Sequence, residues 1–168
     1  RTPAWYSQRC DDLNQTLGSN GILKVFVASD HAGFDLKQEL VSRLKSFGEF
    51  DVETHDLGPA NADRVDYPDF SKKTVEAVLH PESGSRTFGL LICGSGQGMA
   101  MSANRHKGVR AALAWNEESA KLSRAHNNAN ILCLGARLIP ADLAWRILIS
   151  FLKEEFEGGR HVGRLEKF

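Results

Sequence analysis

The chain has 168 residues, a length that suits a single domain. Its hydrophobic content of 42% and charged content of 25% are typical of a soluble globular protein with a substantial core. The formal net charge is zero, which argues against a general electrostatic attraction to nucleic acid or to an anionic membrane. No apolar stretch approaches the roughly 20 residues that a membrane-spanning helix needs. Any anion must therefore be bound by a local cluster of basic residues.

The three cysteines are irregularly spaced, at Cys10, Cys93 and Cys133. An odd count argues against a disulfide framework, and no pair has the C-x-x-C spacing of a metal site. We therefore expect a reducing compartment, the cytoplasm, in which at least one cysteine is free to act as a thiol.

Residues 1–20 are polar and irregular, and we interpret them as an N-terminal extension before a single domain over residues 21–168. Strands and helices alternate in the first half of that domain. The predicted order is a strand at 22–28, a helix with apolar positions from Leu36 to Phe47 that ends at Gly48, a weaker strand at 51–56 and a helix at 68–79.

The second half continues the alternation. The predicted order is a strand at 88–93, a helix at 97–106, a strand at 109–115, a helix from its cap Asn116 to His126, a strand at 131–134 and a helix at 140–156. This pattern implies right-handed crossovers and a three-layer α/β sandwich with a five-stranded parallel sheet. Ligands in such sheets bind beyond the carboxyl ends of the strands. That rule points to the turns at 29–33, 93–98, 116 and 135–137.

The strand that ends at Cys93 runs directly into Gly94, Gly96 and Gly98. Glycines at such a turn let backbone N–H groups approach an anion closely. Their spacing differs from the dinucleotide fingerprint, and the P-loop lysine is missing, so we expect the oxyanion of a small substrate. Tight turn geometry alone would also explain these glycines.

Cys93 stands at the mouth of this turn, where a thiol can serve as a base or a nucleophile because a helix N-terminus favours the thiolate. A buried, inert thiol is the alternative, and it is the interpretation that we prefer for Cys133, which lies inside an apolar strand. Asp30 and His31 follow the first strand and are suited to proton transfer or phosphate contact. Helix capping would also explain Asp30.

Basic residues after later elements are candidates for anion binding. His126 ends a helix, a place where the helix dipole alone would favour it. Arg160 and Arg164 lie four residues apart after two glycines, and their guanidinium groups match phosphate oxygens unless the segment is a solvated basic tail. Arg137, after the last strand, is a further candidate.

Together these segments resemble the type-B ribose-5-phosphate isomerases over residues 23–166. The matching motifs are Ser-Asp-His-Ala-Gly-Phe at 29–34, Asp-Tyr-Pro at 66–68, Cys-Gly-Ser-Gly-Gln-Gly at 93–98, Ser-Ala-Asn at 102–104, Arg-Ala-His-Asn at 124–127, Gly-Ala-Arg at 135–137 and Gly-Gly-Arg-His at 158–161. The resemblance implies a Rossmann-like α/β/α fold and a homodimer or tetramer with active sites shared between subunits. It also implies interconversion of ribose 5-phosphate and ribulose 5-phosphate without a metal or redox cofactor.

The same resemblance implies a role for each residue. Cys93 would remove the C2 proton, and Met99 stands where another branch of the family carries a glutamate. Ser95 and the loop amides would hold the enediolate oxygen. Asp30 would move a proton between O1 and O2, and His126 would assist furanose ring opening. The implied substrate contacts are His31, Arg137, Arg160 and Arg164 for the phosphate, and Tyr67 and Asn127 for the sugar.

Two alternatives stay open at this point. An isomerase of the same family would act on a hexose 6-phosphate such as galactose or allose 6-phosphate. A non-catalytic sugar-phosphate sensor would keep the arginines and lose the base. A cysteine-based phosphatase is disfavoured, because Gly94, Ser95 and Gly96 follow Cys93 where such a loop places an arginine.

Overall fold

The computed structural model describes residues 22–49 and 51–168, so the predicted extension at 1–20 and Cys10 lie outside the described residues. Five parallel strands form one sheet in the order β2-β1-β3-β5-β4. The strands are β1 (Leu23–Ser29), β2 (Val52–Asp56), β3 (Arg86–Cys93), β4 (Ala111–Leu113) and β5 (Ile131–Gly135). The helices are α1 (Phe34–Lys45), α2 (Tyr67–Leu79), α3 (Gln97–Ala103), α4 (Glu117–Ala125), α5 (Ala141–Lys153) and α6 (Val162–Leu165), the last preceded by a 3-10 turn at Gly159–His161. Within the described residues, no helix has both the length and the apolar character needed to cross a membrane.

The sheet is buried on both faces, as the unbroken apolar run of β3 predicts. Alternate residues of β3 belong to two separate apolar clusters. Leu90 and Ile92 join the cluster that includes the inner sides of α1 and α5, whereas Leu91 and Cys93 join the cluster that includes α2 and α3. The prediction of a three-layer α/β/α sandwich around a five-stranded parallel sheet is therefore confirmed.

Three turns at the carboxyl edge of the sheet are joined by backbone hydrogen bonds. The Asp30 N–H donates to the carbonyl of Ile92 at 3.0 Å, which joins the turn after β1 to the end of β3. The Ala136 N–H donates to the carbonyl of Cys93 at 2.9 Å, and the Arg137 N–H donates to that of Gly94 at 3.0 Å. The turns after β1, β3 and β5 therefore form one connected floor.

The predicted helix at 97–106 is too long, because α3 ends at Ala103. The side-chain amide of Asn104 instead bonds the backbone of Ala111 in both directions, accepting from its N–H and donating to its carbonyl at 2.8 Å each. This pairing turns the chain from α3 into β4. The strand itself keeps only three of the predicted residues 109–115.

The predicted final helix at 140–156 is also too long, because α5 ends at Lys153. The following residues bond to α4 instead of continuing the helix. The Arg124 Nε donates to the carbonyl of Glu154 at 3.3 Å, and the Glu157 N–H donates to the carbonyl of Ala125 at 3.0 Å. The terminal residues 159–165 then fold into the 3-10 turn and α6, so they are not an unstructured tail.

Candidate active site

Seven of the predicted site residues line one open cleft of about 300 Å³ at the carboxyl edge of the sheet. They come from the three connected turns and from the first residues of α2 and α3. The lining consists of Asp30, Tyr67, Cys93, Gly94, Ser95, Gly98, Arg137 and one residue that the sequence analysis did not single out, Leu138. The only sequence signal for Leu138 is its position directly after Arg137.

Cys93 is the last residue of β3, and only 5% of its surface is exposed. Its Sγ accepts a hydrogen bond from the N–H of Gly96 at 3.1 Å. Gly96 has φ +77°, and a Cβ at this position would lie within 3.0 Å of the Leu134 carbonyl, so the turn requires glycine. The backbone N–H of Gly96 thus holds the sulfur in place at the end of the strand.

The walls of the cleft are a phenol and a guanidinium. The Tyr67 ring packs so closely on Gly98 that a Cβ there would lie 2.8 Å from the ring. The Arg137 guanidinium covers Gly94 in the same way, 3.0 Å from where a Cβ would stand. Between these walls, the Oγ of Ser95 accepts a 3.4 Å hydrogen bond from the N–H of Gln97. The glycines thus serve close packing, and the guanidinium and the phenol line the same cleft as Cys93.

Asp30 is 8% exposed, and its Oδ1 accepts a hydrogen bond from the N–H of Gly33 at 3.0 Å. Gly33 is itself the N-cap of α1, so the carboxylate anchors its own turn and does not occupy the cap position. His31 is half-buried, with Nδ1 3.3 Å from the carbonyl of Val65, and it lies outside the cleft lining. Of the two residues, Asp30 is the one that the cleft exposes to a ligand.

Cys133 lies in the middle of β5 and is fully buried. Burial raises the pKa of its thiol, so this thiol stays protonated and unreactive at neutral pH. Of the two cysteines in the described part of the chain, Cys93 is the one that reaches the cleft.

The other predicted site residues, His126, Asn127, Arg160 and Arg164, belong to a second region, formed by the end of α4 and the C-terminal segment. His126 ends α4, and its ring stacks on that of His161 with centroids 4.4 Å apart. Asn127 follows His126 in the chain, whereas Arg160 and Arg164 flank His161, and all three are exposed. Neither these three residues nor His126 lines the cleft of its own chain. His161 lies in the segment for which a solvated basic tail was the alternative, yet it is only 4% exposed.

Arg124 stabilises this second region. It was not among the predicted site residues, although it is the first residue of the Arg-Ala-His-Asn motif. Arg124 is only 4% exposed. Its Nη1 donates to Oδ1 of Asn128 at 2.8 Å and to the carbonyl of Ala129 at 2.7 Å. Its guanidinium lies 4.7 Å from the ring centroid of Phe88. Burial lowers the pKa of Arg124 to about 10, so it is still a cation at neutral pH. It fixes the turn that carries His126.

A family model described as ribose/galactose isomerase matches residues 25–168 of the chain. The chain is also similar over most of its length to proteins of known name. The probable ribose-5-phosphate isomerase B of Mycoplasma genitalium is 44% identical over 144 residues, which cover 85% of this chain and 91% of that protein.

Solved structures agree with this likeness. The crystal structure of a ribose 5-phosphate isomerase from Thermotoga maritima is 46% identical, with a TM-score of 0.79 over 86% of this chain and 95% of that one. The crystal structure of ribose-5-phosphate isomerase B from Mycoplasma genitalium with bound ribulose-5-phosphate is 42% identical, with a TM-score of 0.78 over 86% of this chain and 93% of that one.

Proposed function

The chain belongs to the ribose/galactose isomerase family, and we propose that it is an aldose–ketose isomerase that interconverts ribose 5-phosphate and ribulose 5-phosphate through an enediolate. The observation that carries the proposal is a thiol at a strand end, hydrogen-bonded by a backbone N–H and facing a cleft that also contains a carboxylate and a guanidinium. Relatives named as ribose-5-phosphate isomerases, one of them solved with bound ribulose-5-phosphate, support the choice of substrate.

The proposed chemistry uses groups from the three connected turns after β1, β3 and β5. The Cys93 thiolate removes the proton on C2 of the open-chain aldose and returns it to C1. Ser95 and the backbone amides of its turn stabilise the oxyanion that develops when this proton leaves. Asp30 moves the hydroxyl proton from O2 to O1, which completes the change from aldose to ketose. Arg137 contributes a cation for the substrate phosphate.

The cleft is incomplete within one chain, because His126 and the arginines of the terminal segment do not line it. We therefore propose a homodimer, alone or paired into a tetramer, in which each subunit supplies these groups to the cleft of its partner. Four large apolar side chains support an interface between copies, since each is at least 40% exposed: Met101, Trp115, Leu122 and Leu138. The free thiol of Cys93 fits action in the cytoplasm, where thiols stay reduced.

The test of shared sites is a mixed dimer of Cys93→Ala and His126→Asn subunits, isolated through two different affinity tags. If each site takes Cys93 from one chain and His126 from the other, the mixed dimer has one intact site and one doubly defective site. It should then recover about half of the wild-type activity. Activity no higher than that of the two single-variant dimers would show that both residues serve one site from the same chain.

The substrate is tested by comparing kcat/KM for ribose 5-phosphate with the values for allose 6-phosphate and galactose 6-phosphate. A clear preference for the pentose phosphate supports the proposal. A preference for either hexose phosphate would keep the isomerase chemistry and overturn the substrate, whereas binding without turnover would indicate a sensor.

A further inference from the structure

Three metal-ligating side chains converge outside the cleft, where the C-terminal segment meets α4. They are His126, Glu157 and His161, and one ligand atom from each lies within 4.8 Å of the other two. Oε2 of Glu157 is 3.4 Å from Nε2 of His161 and 3.8 Å from Nε2 of His126. The proposed isomerase chemistry uses only His126 of the three.

The backbone brings these side chains together. The Glu157 N–H bonds to the carbonyl of Ala125, which places the glutamate beside the end of α4. Gly158 and Gly159 follow with φ of +63° and +53°, a conformation that other residues rarely adopt, and they turn the chain back over the His126 ring. The N–H of His161 then closes the turn on the carbonyl of Gly158 at 3.0 Å.

A second, independent observation concerns the side chain of His161. Its side chain is 5% exposed, and its Nε2 is a buried atom that makes no hydrogen bond in the described part of the chain. The Glu157 carboxylate at 3.4 Å lies nearby without meeting hydrogen-bond geometry. A buried polar atom without a partner is costly, and an ion that binds there is one way to satisfy it.

We propose that His126, Glu157 and His161 bind a divalent transition-metal ion, with Zn²⁺ as the best match. Two imidazoles and one carboxylate suit zinc and disfavour magnesium or calcium, which prefer oxygen ligands. A tetrahedral zinc ion with bonds of about 2.0–2.2 Å holds neighbouring ligand atoms about 3.3 Å apart. The carboxylate distances of 3.4 and 3.8 Å are close to this spacing. Three protein ligands leave the fourth position to water.

Binding requires the His126 ring to turn out of its stack on His161, so that both Nε2 lone pairs point to one ion. The buried His161 fixes one ligand, and the other two side chains have room to adjust, since those of His126 and Glu157 are 36% and 57% exposed. The metal is an inhibitor and not a cofactor, a consequence that rests on the proposed role of His126. Coordination occupies the ring nitrogen that ring opening needs for proton transfer, so bound zinc should slow the isomerase reversibly.

The test is isothermal titration of the full chain, freed of metal with a chelator, with Zn²⁺. Visible absorption of added Co²⁺ reports whether the site is tetrahedral. The titration is repeated in Cys93→Ala, because a cleft thiol can bind zinc by itself. We expect one zinc ion per chain in this background. Adding Glu157→Gln or His161→Gln should weaken the zinc affinity at least about tenfold, which is the usual scale of loss when a zinc site is disturbed. The matched control is His55→Gln, which removes a histidine 2.7 Å from a single carboxylate, Glu53, and should leave zinc affinity unchanged.

Glu157→Gln keeps the test decisive if His161→Gln does not fold, because the Glu157 side chain is exposed. Zinc affinity that is unchanged by Glu157→Gln, or the absence of saturable binding in the Cys93→Ala background, would overturn the site. The titration involves no turnover, so failure of the metal site and failure of the proposed isomerase activity are separate results.

Discussion

The backbone N–H of Gly96 lies 3.1 Å from the Sγ of Cys93 and donates a hydrogen bond to it. The donor comes from the turn that immediately follows β3, so the strand end and the turn together hold the sulfur in place. A serine in place of Cys93 would present a smaller oxygen acceptor, on a shorter bond to Cβ, to the N–H of Gly96. The sulfur is therefore held by a backbone hydrogen bond in addition to its packing in the apolar cluster with α2 and α3.

Replacing Cys93 by alanine should lower kcat by at least about a hundredfold, because this is the usual loss when a general base is removed. Steady-state kinetics with ribose 5-phosphate measure the effect, and circular dichroism checks the fold. Cys133→Ala is the matched control: it should leave kcat unchanged and lower the free energy of unfolding by about 1 kcal/mol, since it truncates a fully buried side chain. Near-normal turnover in Cys93→Ala would remove the thiol from the mechanism.

Iodoacetamide should inactivate the protein through Cys93 and leave Cys133 unlabelled. Cys93 lines the cleft, whereas burial raises the pKa of the Cys133 thiol and keeps it in the unreactive protonated form. The labelling is carried out at pH 8, and peptide mass spectrometry then measures the label on each cysteine of the chain. Substrate at saturating concentration should slow the labelling of Cys93. Equal labelling of both cysteines in the folded protein would contradict the difference in their environments.

His126→Asn should lower the saturating kcat for ribose 5-phosphate more than that for ribulose 5-phosphate. Ribose 5-phosphate is mostly cyclic and needs ring opening, whereas ribulose 5-phosphate cannot close a furanose because its O5 is esterified. The equilibrium constant ties the two values of kcat/KM together, so the asymmetry must appear in kcat and KM separately. Progress curves in both directions provide the four constants. Equal losses of kcat would argue against a ring-opening role.

Arg164→Lys should lower kcat/KM for the sugar phosphate and make inorganic phosphate a weaker competitive inhibitor, because an ammonium group cannot reproduce the two-pronged guanidinium contact. Lys167→Ala is the control, since it removes an exposed cation of the same segment that has no proposed role. These point changes are sharper than truncation after Gly158, which would also remove the buried His161 and Leu165. Unchanged phosphate inhibition in Arg164→Lys would leave this arginine as a solvated charge.

The sequence was sufficient to predict the layers of the fold and the part of the site that lies at the carboxyl edge of the sheet. Runs such as residues 88–93 are apolar on both faces, so they predict buried parallel strands, and the residues after such strands must share one edge. Asp30, Cys93 and Arg137 are therefore predicted to lie together, and the cleft contains all three.

The rest depended on contacts between residues far apart in the chain. The end of α5 is set by bonds from Arg124 and Ala125 to the linker after the helix, about 30 residues away, which local propensity cannot reveal. His161 follows two glycines and an arginine, a pattern that is also typical of a polar tail. Its burial and its stacking on His126 result from the fold and not from any local pattern.

Asn104 has a consequence for the outer boundary of the sheet. β4 is an edge strand, and an edge normally offers unpaired N–H and carbonyl groups to any passing strand. At Ala111 both groups are already bonded by the Asn104 amide, which occupies the position that a sixth strand would take. One side chain thus blocks the addition of a further strand at this point of the β4 edge.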